Sequence, residues 1–415
     1  MLAPLEAKTE LETIETDLLL CSWLTQQEAV MSRAGIAHTL EQRVSDCLDR
    51  AVSDERLVGG VVLVAHEGEP VVETAAGFAD REAGRKMCDD AIFRYSSLTK
   101  TIVAAATMTL VERGVIQLDD PVTRWLPTFR PKLANGDEPR LEVHHLLTHT
   151  AGLTYAMFQP EGGTYERAGI SDGLDQSGLS MSEELERLAR VPLVFPPGAA
   201  WGYSIAYDVL GALIARAAGT TLPDVVAMSV TGPLGMRNTA FSVVDPERLA
   251  VPYVSGPPPR LMVDPDVVPF LPGTAGIRFA PSRIFNTDSF ASGGVGMAGT
   301  ARDFLRLLTA LQSDGTFLKP ATARQMMSNQ IGALRITTDP RPAWGFGFGG
   351  AVLMDPTLGT TPQAAGTWNW GGAYGHHWYV DPVNRLTLVA MTNTALEGMV
   401  GGFVGELREA VYGGA

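Results

Sequence analysis

The apolar positions of this chain fall into a few distinct patterns. Within 38–52, Leu40, Val44, Cys47, Leu48 and Val52 return at the spacing of one helical face, which predicts an amphipathic helix where the fold proper begins. The run GGVVLVAHEGEPVVETAAGFAD (59–80) has two strand-like halves around Glu67, Gly68 and Glu69, so a hairpin and an antiparallel sheet are expected. After Ser97, LTKTIVAAATMTLVERG is small or apolar on every side until Gly114 ends it, the pattern of a helix buried all round.

Between 115 and 290, helical runs alternate with proline-rich turns (Pro192, Pro196 and Pro197, then Pro257, Pro258 and Pro259), and 344–397 returns to strand-like runs broken by Gly and Asp-Pro turns. The expected organisation is an N-terminal extension over 1–37, an α/β sheet domain assembled from 38–114 and 291–415, and a mainly helical domain at 115–290. The active site is expected between the two domains. Residues 156–176, rich in Gly and polar side chains, read as either a lid over that site or a surface loop.

Composition narrows the function classes. With 45% hydrophobic and 19% charged residues among 415, the chain can bury a large core. A formal net charge of −14 argues against nucleic acid or an anionic membrane as partner. Cys21, Cys47 and Cys88 are too few and too scattered for a disulfide framework or a zinc site, which fits reduced thiols in a cytoplasmic protein. The opening MLAPLEAKTELETIETD is acidic where a secretory signal is basic, and the apolar run 18–24 is far shorter than a membrane span.

The candidate chemistry centres on Ser97-Leu98-Thr99-Lys100. A serine hydroxyl needs a base to become a nucleophile, and a spacing of three puts an amine one helical turn away on the same face. Burial and helix-terminus potential would both disfavour the ammonium form of such a lysine. With 5 lysines and 19 serines in the chain, chance alone predicts roughly 0.2 Ser-x-x-Lys occurrences, so the motif by itself is modest evidence. Its place at the start of a buried helix, directly after the strand-like AIFRYS, strengthens it; the plain alternative is a helix-capping serine and a surface lysine. No G-x-S-x-G elbow, H-E-x-x-H, Walker loop or Rossmann fingerprint competes with it. His144, His145, His149, His376 and His377 assemble into no Ser-His-Asp order and read as structural.

Beyond that motif, LDDPVTRWLPTF (118–129), LLTHTAGL (146–153), FPPGAAWGYSIAYDVLG (195–211), GPLGMRNT (232–239), SGGVGMAGTARDF (292–304) and WGGAYGHHWYVDP (370–382) follow in the order seen in the serine β-lactamase and penicillin-binding-protein superfamily. The chain resembles the class C β-lactamase-like branch, and within it the family VIII carboxylesterases. The resemblance implies an α+β fold, an antiparallel sheet flanked by helices with a mainly helical insertion. It makes Tyr203 the third catalytic residue beside Ser97 and Lys100. It also implies an oxyanion hole from the backbone N–H groups of Ser97 and Ala373, with Trp370, Gly371, Gly372 and Tyr374 at the substrate, the two glycines letting the backbone approach it.

Two departures from the β-lactamase pattern bear on the substrate. Trp370-Gly371-Gly372-Ala373 stands where β-lactamases carry a Lys or His followed by Thr/Ser-Gly, and Ile205 stands where many carry an Asn that binds a substrate amide. Both favour esters. Asp208 resembles a polar position of the esterases, with a capping or buried structural role as the alternative, and Trp344 is a further candidate for an apolar pocket wall. The function implied is hydrolysis of small carboxylic esters through an acyl-enzyme on Ser97, with no cofactor and no metal. The alternatives are a β-lactamase or D-Ala-peptidase, an acyltransferase of the same superfamily, and a penicillin-receptor-like binder that acylates once. Oligomeric state is not legible in the sequence.

Overall fold

The computed structural model describes residues 39–313, 315–337 and 342–413. The expected extension over 1–37, with Cys21 and the apolar run 18–24, lies outside the described residues. Helix α1 (39–53) buries Leu40, Val44, Cys47 and Leu48, as its periodicity predicts. Strands β1 (Gly59–His66) and β2 (Glu69–Asp80) form the expected hairpin. Glu67 (φ 54°) and Gly68 (φ 84°) both take left-handed conformations, the signature of a two-residue turn whose twist matches the strands, and Glu69 already pairs with His66.

The hairpin sits in an eight-stranded, wholly antiparallel sheet. With β3 (Arg85–Lys86), β4 (Trp344–Phe346), β5 (Ala351–Leu353), β6 (Trp368–Gly372), β7 (His376–Asp381) and β8 (Leu386–Thr392), the order is β4-β5-β6-β7-β8-β1-β2-β3. The centre is the β1–β8 pair, in register from Gly60 opposite Thr392 to His66 opposite Leu386. β1 is almost entirely buried because both faces are covered. Val62 and Val64 face α1 and helix α5 (Gly402–Tyr412), while Val61 and Leu63 face the larger core that contains the helix opened by Leu98.

Helix α2 (Leu98–Glu112) has 12 buried residues of its 15, and no other face is available to solvent except that of Thr109, Val111 and Glu112. It packs against helix α3 (Ala206–Ala218), which Gly219 ends in a left-handed conformation. Helix α4 (Ala301–Gln312) covers β1 and β8 on the same side of the sheet. Within 115–290, α-helices occupy Val143–Leu147, Thr164–Arg167, Met181–Arg190, α3 and Leu222–Val226. Residues 240–280 instead run as irregular chain with short ribbons such as Asp266–Val268 against Ile277–Phe279.

The 156–176 stretch is tied to the body. The Gln159 carbonyl accepts the Ala275 N–H (2.9 Å), the Leu174 carbonyl accepts the Ala280 N–H (2.9 Å) and the Asp175 carbonyl accepts the Arg283 guanidinium (2.8 Å), while within the stretch the Asp172 carboxylate accepts the N–H groups of Ala156 (2.8 Å) and Met157 (2.9 Å). Among the described residues no single helix is long and apolar enough to cross a membrane.

Candidate active site

The strand Ile92–Arg94 leads into α2 through Ser96, whose φ of 50° is strained for a residue with a Cβ. That reversal delivers Ser97 to the start of the helix. Ser97 makes no side-chain cap, so its hydroxyl is left for other partners. Lys100, 1% exposed, is not the surface residue of the plain alternative. Its Nζ donates to Ser97 Oγ at 3.2 Å and to the Gly294 carbonyl at 2.9 Å.

Tyr203 lies just before α3, and its hydroxyl donates to Ser97 Oγ at 2.7 Å. Its ring sits 4.8 Å from Lys100 Nζ, so the amine and the phenol face each other beside Ser97. The indole N–H of Trp370 in turn donates to the Tyr203 oxygen at 3.3 Å. The structure therefore brings Ser97, Lys100, Tyr203 and Trp370 together in one hydrogen-bonded chain.

His149, fully buried beside the Tyr203 ring, is held well below the ordinary imidazole range by burial and by the Lys100 charge. Its Nδ1 accepts the Ser204 N–H at 3.3 Å, and no histidine bonds to Ser97 among the described residues. A neutral imidazole with no hydrogen-bond path to the serine is a packing group.

The Ser97 N–H bonds to no carbonyl or side chain among the described residues, whereas the Ala373 N–H donates to Ser96 Oγ at 3.3 Å. Gly371 and Gly372 are close-approach positions, but the approach is to the protein itself. A Cβ on Gly372 would stand 2.6 Å from the Tyr95 carbonyl oxygen, and one on Gly371 would stand 2.9 Å from that of His376. Strand β6 is thus pressed against the turn that carries the nucleophile.

Ser97, Tyr203, Trp370, Gly371 and Ala373 line a cavity of about 320 Å³ whose walls include Phe158, Phe270 and Trp344. Tyr374 departs from its expected place. Its side chain lines a second cavity, because β6 has ended at Gly372 and the chain is already turning there.

Several site residues carry no signal in the sequence reading. Gly294 contributes a carbonyl, and backbone acceptors leave no mark on residue type. Asp208 Oδ2, Tyr155 Oη and Lys100 Nζ all converge on it, at 3.0, 3.2 and 3.4 Å from the position a Cβ would take. Asp208 is fully buried in the first turn of α3, and burial pushes its carboxyl up against the pull of the Ser292 hydroxyl and the Lys100 charge. Tyr155 stands two residues past the end of LLTHTAGL, which is the only hint of it in the sequence. No group of three or more His, Cys, Asp or Glu placed to hold a metal occurs among the described residues.

A family model described as Beta-lactamase matches residues 40–406. Esterase EstB of Burkholderia gladioli is 49% identical over 378 residues, covering 91% of this chain and 96% of that protein. Among solved structures, EstCE1, described as a hydrolase with promiscuous acyltransferase activity, superposes with a TM-score of 0.87 at 42% identity, covering 91% of this chain and 99% of its own. The octameric penicillin-binding protein homologue from Pyrococcus abyssi has a TM-score of 0.65 at 18% identity over 89% of this chain and 77% of its own, a likeness of fold alone.

Proposed function

This chain belongs to the Beta-lactamase family, and from that premise we propose that it is a serine carboxylesterase acting on small esters through an acyl-enzyme on Ser97. The observation that carries the reading is the pair of hydrogen bonds to Ser97 Oγ, from Tyr203 at 2.7 Å and from Lys100 at 3.2 Å, at the mouth of an apolar cavity.

The ester lies between the sheet and the helical region with its carbonyl oxygen toward the N–H groups of Ser97 and Ala373. The Ala373 N–H exchanges its Ser96 partner for that oxygen as negative charge develops on it. Ser97 attacks the carbonyl carbon while its proton passes into the Lys100–Tyr203 pair. On collapse Tyr203 protonates the departing alcohol, leaving the acyl group on Ser97. The same pair then takes a proton from water as it attacks the acyl-enzyme and returns it to Ser97 Oγ as the C–Oγ bond breaks and the acid leaves.

Trp370 orients the Tyr203 oxygen, and Phe158, Phe270 and Trp344 supply apolar wall for the acyl or alcohol portion. The absence of a lysine or histidine at position 370 and of an amide at Ile205 supports esters over β-lactams and D-peptides. Acyl transfer uses the same intermediate with an alcohol in place of water, and the likeness to EstCE1 supports looking for it. The reading as a cytoplasmic enzyme rests on composition and on Cys47 and Cys88 being free thiols.

Hydrolysis of p-nitrophenyl acetate, butyrate and octanoate, measured beside nitrocefin in wild type and Ser97→Ala, tests the proposal. Ester turnover that falls at least about 10⁴-fold in the variant is expected, with nitrocefin slow. Rapid nitrocefin turnover would reassign the substrate, and ester activity surviving Ser97→Ala would remove the nucleophile.

A further inference from the structure

The second cavity has a volume of about 270 Å³. Leu174 and Val295 line both cavities and separate the two. Two arginines line the second one. Arg94 ends the strand that leads to Ser97, and Arg283 lies in the turn Pro281–Phe285. Arg94 donates from Nε to the Pro281 carbonyl and from Nη1 to the Ala250 carbonyl, each at 2.9 Å. Arg283 donates to the carbonyls of Asp175 (2.8 Å) and Phe290 (2.7 Å).

These bonds fix both guanidiniums without neutralising them. Neither arginine forms a salt bridge with a carboxylate among the described residues, whereas 12 other arginines do. The acids that act on them, Asp264 on Arg94 and Asp175, Asp208 and Glu184 on Arg283, do so from beyond ion-pair distance. Asp264 accepts the Ser282 N–H, Asp175 accepts the Ser171 hydroxyl, burial raises Glu184 to about 8, and burial raises Asp208 as well. Both guanidinium charges act on the buried Tyr374 phenol, which burial nonetheless lifts to about 12. Each guanidinium has five N–H donors, of which two are used here.

We propose that this cavity binds a small organic carboxylate, its oxygens on the free N–H groups of Arg94 and Arg283 and its short apolar body against Phe241, Ile284 and Phe290. A pair of partly buried, unpaired cations is costly unless an anion completes the site. The planar guanidinium fork matches a carboxylate. The volume is just under the roughly 300–1,000 Å³ of pockets for drug-sized ligands, so the occupant is small. Apolar walls favour a carboxylate with a hydrocarbon tail over inorganic phosphate, which would lose hydration against them. The site does not use Ser97 and stands apart from the esterase reading.

Titration calorimetry with sodium benzoate at constant ionic strength is the test. Saturable binding to wild type is expected, unchanged in Ser97→Ala and weakened at least about tenfold in Arg283→Gln. The neutral isostere benzamide is expected to bind at least about tenfold more weakly to wild type, which needs no variant. Ala291→Leu fills the cavity at a lining position while leaving both arginines in place, and is expected to abolish binding. No saturable binding to wild type, equal affinity for benzamide or for inorganic phosphate, or an unchanged Kd in correctly folded Arg283→Gln and Ala291→Leu would each overturn the assignment.

Discussion

Lys100 has two unlike surroundings. On one side stand Ser97, Tyr203 and Trp370, linked oxygen to nitrogen in a chain that ends at a cavity. On the other stand the Gly294 carbonyl, Asp208 and Tyr155, closed off from solvent in the body of the protein. The first group can exchange protons with a substrate. The second holds the amine where it is, and burial keeps the carboxyl of Asp208 toward its protonated form, so that it does not compete for the lysine as a full counterion.

If that division is right, variants on the two sides should separate by size and by the quantity they change. Tyr203→Phe removes a hydroxyl from the proton path and should lower kcat by about 10³-fold with little change in KM, measured on a short p-nitrophenyl ester. Trp370→Phe keeps an aromatic wall but loses the N–H on Tyr203, and should cost about threefold to tenfold in kcat. Asp208→Asn should stay within about fivefold of wild-type kcat/KM, since burial already disfavours the charged carboxylate there. A hundredfold loss there would break the distinction and make Asp208 part of the proton path.

The smallest expected effect on catalysis is that of Glu184→Gln, and its readout is thermal unfolding against pH. Burial raises the Glu184 carboxyl to about 8 and the Asp172 carboxyl to about 7. Both folded values lie above the unfolded ones, so the folded state holds more protons. The associated stability is fully present below the unfolded pKa, near 4, and is lost as pH rises through 7 and 8. The melting temperature of the wild type should therefore fall between pH 6 and 9, and Glu184→Gln should flatten that fall while leaving ester turnover near the wild-type rate.

The parts legible in the sequence were those set by local periodicity. The Ser97–Lys100 geometry follows from one helical turn, and the hairpin from Glu67-Gly68 between two apolar runs. Tyr203, more than a hundred residues away, came only through resemblance, because no local rule links it to α2. The Gly294 carbonyl, Tyr155 and Asp172 were missed for the same reason: their roles are long-range contacts with no spacing to betray them. Tyr374 lines the second cavity instead, because two residues past the strand's end at Gly372 the alternation of faces no longer holds. Gly371 and Gly372 were expected to let the backbone approach a substrate; in the structure the groups that crowd them are the Tyr95 carbonyl at Gly372 and the Met399 side chain and His376 carbonyl at Gly371.

The β1–β8 pairing also says something about how this protein comes into being. On the ribosome, 60–66 emerges early and finds its central neighbour only when 386–392 has been made, after the entire catalytic apparatus between them. Until then one flank of β1 is an open edge beside a hydrophobic face, a species that invites aggregation and chaperone capture. Nascent chains arrested before residue 386 should therefore remain protease-sensitive throughout, with α1 lacking the α5 partner that covers the same face. Activity would then arrive all at once, with the closing strand.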